Sequence, residues 1–370
     1  MGQKPIEGSN PSLSANPSCH GSASQLTNLT SSPYRKLLIC RPGFEAALLE
    51  ELGDRNVPDT ERAPGSPGLV GIGRRQNVPV PICIFERQRL SVNGFIPVEG
   101  LKPIAESSVR DVFGSLLKDE PAPWTLHAYA MAEGLGRRIS GIANVLLRLA
   151  SRIQPALEAK QLEPTHIQPD TRVIQLCLTE MGLWHGADAA RDLSHPAPGG
   201  VGRYRLDPRS PSRSYLKIEE AFDLLGVEPR AGDRVVDLGA APGGWTLAFL
   251  RRGCRVTAVD HGAMRIPAEY ADRLTHRREN GLTFGLTDGQ PVDWLACDML
   301  IPPGPALGLL RRWVGGKLAH RFICNIKIPQ QHPWVAIKPV DDWLRSQKGL
   351  RYRIRQTYHD RREVTVMGEW

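Results

Sequence analysis

From residue 212 onward, short apolar runs alternate with helical or loop segments. The runs are "RVVDLGA" (234–240), "RVTAVD" (255–260), "VDWLACDM" (292–299), "RFICNIKI" (321–328), "RYRIRQT" (351–357) and "EVTVMG" (363–368). Near-continuous apolar runs of this length are the pattern of strands buried on both faces. Strands alternating with helices predict a mostly parallel sheet covered by helices on both sides. "SRSYLKIEEAFDLLG" (212–226) predicts the helix before the first strand, with Ile218, Phe222 and Leu225 on one face and Gly226 as its stop.

The N-terminal half is less regular. Residues 1–33 are rich in Ser, Asn, Gly and Pro and predict a disordered polar extension. "KLLICRPGFEAALLEEL" (36–52) predicts a strand over 37–40, a turn and a helix from Phe44. Residues 58–80 carry many Pro and Gly and read as a long loop, and "PICIFERQRL" (81–90) reads as a second strand. Next come an alternating strand, "WTLHAYA" (124–130), and a helix, "RRISGIANVLLRLASRIQPALEA" (137–159). "RVIQLCLTEMGLWHGA" (172–187) then reads as a hairpin turning at Glu180-Met181-Gly182. The expected division is a small α/β domain over 34–105, a second α/β module over 106–205 and the large α/β domain over 206–370.

Charge and cysteine content narrow the class only modestly. The 370 residues carry a formal net charge of +8, which permits an anionic partner such as a nucleic acid. The seven cysteines are scattered, and none forms CxxC, so neither a disulfide framework nor a metal site is expected. A reducing, cytoplasmic setting fits that usage. No stretch approaches the roughly 18 apolar residues of a membrane span, and no obligate protein partner is evident.

In open parallel sheets, ligands bind beyond the carboxyl ends of the strands. Four of the predicted strands carry polar residues there. The first runs into "DLGAAPGGW", where Asp237 precedes a loop with Gly239, Gly243 and Gly244. Glycines let the backbone approach a ligand, and the following helix offers free N–H groups. Trp245 stands where a P-loop requires Lys, and the glycine spacing is not GxGxxG, so ATP, GTP and nicotinamide cofactors are disfavoured. An uncharged nucleoside with an amino-acid tail, such as S-adenosylmethionine, suits the loop. The second strand ends at Asp260, a carboxylate able to accept both ribose hydroxyls of an adenosine. The third ends at Asp298, and the fourth carries Lys327. With Lys217 in the preceding helix and Glu363 opening the last strand, two lysines and two carboxylates could form one alternating-charge cluster. Partial burial and a second cation would favour a neutral Lys327 amine, and the acids would tolerate it in a buried strand.

These stretches resemble the FtsJ-like 2′-O-ribose methyltransferases, and within them the bacterial ribosomal RNA large subunit methyltransferase M family. The resemblance rests on "CRPGFE" (40–45), "PSRSYLKIEEAF" (211–222), "VDLGAAPGGWT" (236–246), "VDHGAM" (259–264), "CDM" (297–299), "NIKIP" (325–329) and "YHDRREVTV" (358–366). It implies a C-terminal Rossmann-like class I methyltransferase domain preceded by smaller α/β domains, the second a THUMP-like RNA-binding module over 106–205. It also implies S-adenosylmethionine as methyl donor and a cytidine 2′-hydroxyl of 23S rRNA, free or in a large-subunit precursor, as acceptor. By the same resemblance Lys327 is the general base, with Lys217, Asp298 and Glu363 completing a Lys-Asp-Lys-Glu tetrad. Ser214, Ala241, Pro242, Gly243, Gly244, Asp260, Asn280 and Asp298 would line the cofactor. Asn280 stands where the family usually has Asp, and its side-chain carbonyl could still meet the adenine amino group. "QQHPW" (330–334) replaces the family's basic residues after the Lys327 strand. The basic run Arg351, Arg353, Arg355, Arg361 and Arg362 suits RNA phosphates or a charged sheet edge. The alternative reading is a catalytically weak or inactive RNA-binding assembly factor on the same fold.

Overall fold

The computed structural model describes residues 32–75, 77–97, 124–132, 134–153 and 167–370. The polar extension expected over 1–33 falls almost wholly outside the described residues, as does the end of the helix expected to reach 159.

The described residues form three sheets. In the first, β1 (Tyr34–Cys40) is central, flanked by β3 (Leu69–Gly73) and β4 (Glu86–Ser91), with β2 (Thr60–Arg62) on the outer side of β3. Helix α1 (Glu45–Asp54) buries Leu48 and Leu52 against this sheet. The long loop expected over 58–80 is therefore corrected: it contains β2 and β3. "LVGIG" is punctuated by glycines, yet all five of its residues are buried, and β1 supplies their hydrogen-bonding partners. At Gly71 a Cβ would lie 2.4 Å from the Tyr34 ring, so the glycine is required by close packing.

The second sheet has the order β5 (Gly94–Pro97), β8 (Gly182–Ala189), β7 (Arg172–Leu178) and β6 (Trp124–Ala130). Helix α2 (Gly136–Ile153) packs on it through Ile139 and Ile142. The boundary at 105 cuts across this sheet, because β5 lies before that boundary and pairs with β8.

The third sheet has seven strands in the order β11 (Leu274–Arg277), β10 (Arg255–Val259), β9 (Arg234–Leu238), β12 (Val292–Cys297), β13 (Ala319–Lys327), β15 (Glu363–Glu369) and β14 (Arg351–Arg355). Neighbours from β11 to β13 are parallel, and β15 runs antiparallel between β13 and β14. Helices α3 (Tyr215–Leu225) and α4 (Gly244–Arg251) cover one face, around Phe222, Phe249 and Trp294. Helices α5 (Pro303–Leu310) and α6 (Pro333–Ser346) cover the other, around Trp313, Phe322 and Trp334. Gly226 ends α3 in the left-handed conformation (φ 73°), as its sequence predicts. The polar edge strand β11 escaped the sequence pattern, because "LTHR" has no apolar run.

The first sheet is joined to the third. Its apolar core continues into the face covered by α5 and α6, and α1 packs on α6. Arg55 reaches Asp341 at 3.2 Å, and the Gln356 N–H donates to the Ile84 carbonyl at 3.1 Å. No helix among the described residues is long and apolar enough to cross a membrane.

Candidate active site

The chain runs outward from β9 to β10 and β11, then crosses back to β12 and β13. The reversal opens a crevice at the carboxyl ends of β9 and β12, where ligands bind in such sheets. The Asp298 N–H donates to the Leu238 carbonyl at 3.2 Å, tying the two strand ends together there. The loop of 239–244 follows β9 and becomes α4. Gly239 and Gly243 hold φ of 76° and 118°, which disfavours any side chain. A Cβ on Gly243 would come 2.5 Å from Ile266, and one on Gly244 would come 2.6 Å from Ser214 Oγ. The loop's backbone is therefore packed directly against Ile266 and Ser214.

Beneath the loop, Asp237 is fully buried. One of its oxygens accepts a 2.6 Å hydrogen bond from Thr246, while Oδ1 has no partner among the described residues. Burial pushes this carboxyl up to about 7. Asp260, at the end of β10, accepts the Ala241 N–H at 3.1 Å and the Gly262 N–H at 2.7 Å, one on each oxygen. A carboxylate offers about four lone-pair sites, so each oxygen can accept once more. Asn280 is exposed, and its side-chain carbonyl accepts the Leu282 N–H at 2.9 Å. The atom expected to meet a ligand thus also shapes its own turn. A Cβ on the adjoining Gly281 would meet Met299 Sδ at 2.9 Å, which sets this turn against the segment after Asp298.

The structure brings most of the predicted charges together. Lys217, in the first turn of α3, has Nζ 3.4 Å from Glu363 Oε2. It lies equally close, 3.4 Å, to Asp360 Oδ1. Burial alone would lower its pKa, but Asp360, Asp298 and Glu363 outweigh burial and hold Lys217 above its ordinary value. It is therefore a fixed ammonium. Asp298 accepts a 2.7 Å hydrogen bond from Asn325. Burial raises its pKa, opposed by Lys217 and by hydrogen bonds from Asn325 and Ser214.

Lys327 is the last residue of β13 and stands directly opposite Glu363 in the antiparallel register with β15. Directly opposed residues project to the same face. Asn325, two residues earlier, shares that face with Lys327. The expectation that Lys327 is partly buried is corrected: the strand interior is buried from Phe322 to Ile326, but Lys327 sits past it and is exposed.

Sequence reasoning missed Asp360, Asn325 and Thr365. Asp360 is fully buried, accepts the Thr357 N–H at 2.9 Å and lies 3.1 Å from Thr365 Oγ1. Burial pushes it up to about 6. Thr365 donates to Asn325 Oδ1 at 2.7 Å, so a polar chain runs from Asp298 through Asn325 and Thr365 to Asp360 and Lys217. Asp360 lay within a quoted stretch, but nothing in the sequence linked it to α3.

The basic run also needs correction. Arg355 is buried, donates to the Cys83 carbonyl and is pushed down to about 10 by burial. Arg351 pairs with Glu369 at the far end of the sheet. Only Arg361 and Arg362 are exposed at the site end.

The FtsJ-like methyltransferase family matches residues 210–311, which span the cradle and Asp298. A ribosomal RNA large subunit methyltransferase M from Xanthomonas axonopodis pv. citri is 32% identical over 361 residues, covering 90% of this chain and 98% of that protein. The protein of the same name from Xanthomonas oryzae pv. oryzae matches with the same identity and coverage. Among solved structures, TrmN from Thermus thermophilus aligns over 90% of this chain and 99% of its own at 14% identity, with a TM-score of 0.37.

Proposed function

This chain belongs to the ribosomal RNA large subunit methyltransferase M family, S-adenosylmethionine-dependent enzymes that methylate rRNA, and from that premise we propose that it methylates a cytidine 2′-hydroxyl of 23S rRNA. The substrate is the free RNA or a large-subunit precursor, met in the cytoplasm. The observation that carries this reading is the charge cluster: a fixed Lys217 ammonium among Asp298, Asp360 and Glu363, with Lys327 opposite Glu363 at the mouth of the crevice.

The cradle fits the cofactor. It is built of backbone that a Cβ would obstruct, carries no cation for phosphate, and holds Asp260 with acceptor capacity for a ribose. Ser214, Ala241, Pro242, Gly243, Gly244, Asp260, Asn280 and Asp298 would hold the group. Bound S-adenosylmethionine supplies a methyl group on a positively charged sulfonium. Lys327 would accept the 2′-hydroxyl proton on Nζ as that oxygen takes the methyl group the donor would supply, its sulfur leaving as a neutral thioether. Lys217 holds positive charge beside the attacking oxygen and fixes the acids around it. Asp298 and Asn325 keep that corner polar and ordered.

The domains divide the work. Residues 206–370 carry the chemistry, while the first sheet and the THUMP-like second sheet, which takes in β5, hold the RNA, since RNA is read by shape and splayed strands over a wide footprint. The test is a map of 2′-O-methylation in 23S rRNA from cells with and without the gene. One ribose that loses its methyl group in the deletion and regains it on complementation is expected. An unchanged map, or a lost base methyl, overturns the reading.

A further inference from the structure

The segment Thr357–Arg362 joins the catalytic acids to the N-terminal sheet. Its Tyr358 N–H is held by both oxygens of Glu220, at 2.9 and 3.1 Å. Glu220 lies one turn after Lys217 on α3, so Tyr358 is anchored beside the catalytic cluster. Over the Tyr358 ring sits Arg87 from β4, with its guanidinium carbon 5.2 Å from the ring centroid. Arg87 Nη2 also donates to the Tyr358 carbonyl at 3.4 Å. Tyr358 is 38% exposed, and the His359 ring meets it edge-on at 5.0 Å.

Arginines gather at this junction: the pairing of Cys40 with Glu86 sets Arg41 and Arg87 at the same end of β1 and β4, and Glu220 is the acid that faces Arg87. His359 is pushed below its ordinary value by burial and then by Arg213, Lys217, Arg87 and Arg41. Arg87 is itself pushed down by burial and by Arg41. Arg41 and Arg87 are half-buried, and among the described residues neither forms an ion pair and Arg41 Nη1 and Arg87 Nε find no hydrogen-bond partner. A half-buried guanidinium with hydrogen bonds left unmade is costly, and two close together are more so. A phosphodiester offers the planar guanidinium two acceptor oxygens and removes that cost. An aromatic ring beside such cations is the arrangement on which unpaired bases stack.

We propose that Arg41 and Arg87 of the N-terminal sheet hold an RNA phosphate next to the target nucleotide, and that a neighbouring base stacks on Tyr358. The proposal rests on the rRNA methyltransferase reading and deepens it. The first sheet is thereby part of the substrate site, and Arg87 touches the strand being methylated. An acidic protein segment would satisfy the guanidiniums but leave Tyr358 without a stacking partner.

The experiment uses the full chain and a protein-free large-subunit rRNA transcript. Arg41→Gln, Arg87→Gln, Arg87→Lys, Tyr358→Ala and Tyr358→Phe are compared by KM for RNA, kcat, salt dependence of RNA binding and S-adenosylmethionine affinity. Each Arg→Gln change should raise KM for RNA about tenfold and lower the salt slope by about one phosphate contact. Arg87→Lys should keep the slope. Tyr358→Ala should weaken RNA binding roughly tenfold, and Tyr358→Phe, which keeps the ring, should weaken it far less. Cofactor affinity should stay within about twofold throughout, which excludes misfolding. Unchanged KM and slope, or a fall in kcat alone, would overturn the proposal, as would unchanged RNA binding with selective loss of binding to an acidic peptide. A wild-type chain that binds the cofactor but transfers no methyl group to rRNA would instead overturn the underlying functional reading.

Discussion

The cofactor cradle and the charge cluster share one edge of one sheet, yet they are built in opposite ways. The cradle is a run of backbone from Gly239 to Gly244, tied to Asp260 at the end of β10. The cluster draws Lys217 from α3, Asp298 from the end of β12, Glu363 from β15 and Asp360 from the turn before it, and Lys327 at the end of β13 stands opposite Glu363. A local loop conveys its shape through glycine spacing. A cluster of side chains from five places exists only once the sheet has assembled. Damage to the first should weaken one ligand, and damage to the second should disturb fold and chemistry together.

The largest expected effect on the distributed side is Lys217→Ala. It leaves the fully buried Asp360 without its ammonium, and breaking a buried pair in this way costs about 3–5 kcal/mol. Denaturant unfolding should show that loss, and adding Asp360→Asn should restore part of it. If the double variant is no more stable than the single one, Asp360 is not the group that Lys217 neutralises.

On the local side, Asp260→Ala removes the acceptor proposed for the ribose hydroxyls as well as that of two loop N–H groups. Hydrogen bonds to charged groups contribute about 1.5–3 kcal/mol, so S-adenosylmethionine affinity should fall roughly tenfold to a hundredfold. Calorimetry should show this, with a smaller loss of unfolding free energy than Lys217→Ala produces. A loss of stability as large as that of Lys217→Ala would erase the contrast between the two regions.

A smaller effect concerns the junction behind the cluster. Burial pushes the Glu220 carboxyl up from 4.5 to about 8. Its proton is bound more tightly in the folded chain, so its contribution to stability is complete below about pH 4.5 and is lost as pH rises through about 8. Between those values the loss is up to about 1.4 kcal/mol per pH unit. Asp360, at about 6, adds the same sign over a narrower window. Glu220→Gln keeps a carbonyl for the Tyr358 N–H and should reduce the fall in urea midpoint between pH 6 and 8. An unaltered slope would show that Glu220 is already ionised in the folded chain.

The same contrast explains what the sequence revealed. Strands β9, β10, β12 and β13 were legible because burial on both faces makes them apolar throughout. The glycine loop was legible because its residue types follow from its backbone conformation. Strands β2 and β3 were hidden among Pro and Gly, since β3 takes its order from pairing with β1, and β2 from pairing with β3. Arg355 looked like a surface cation, yet its acceptor is the Cys83 carbonyl in the segment before β4. Asp360 gave no signal, because its importance lies in reaching Lys217 across α3. Lys327 was placed on the right strand, but its exposure depends on where β13 leaves the core.

The central claim is that Lys327 takes the proton, while Lys217 only carries charge. Single-turnover methyl transfer by Lys327→Arg, with cofactor affinity measured on the same preparation, tests this most directly. Arginine preserves the positive charge but stays protonated and cannot act as a base. General-base catalysis contributes about 10²–10⁴-fold, so the variant should transfer methyl groups at no more than about a hundredth of the wild-type rate with cofactor affinity unchanged. A variant retaining more than about a tenth of that rate would contradict the account, because the proton would then be leaving by another route.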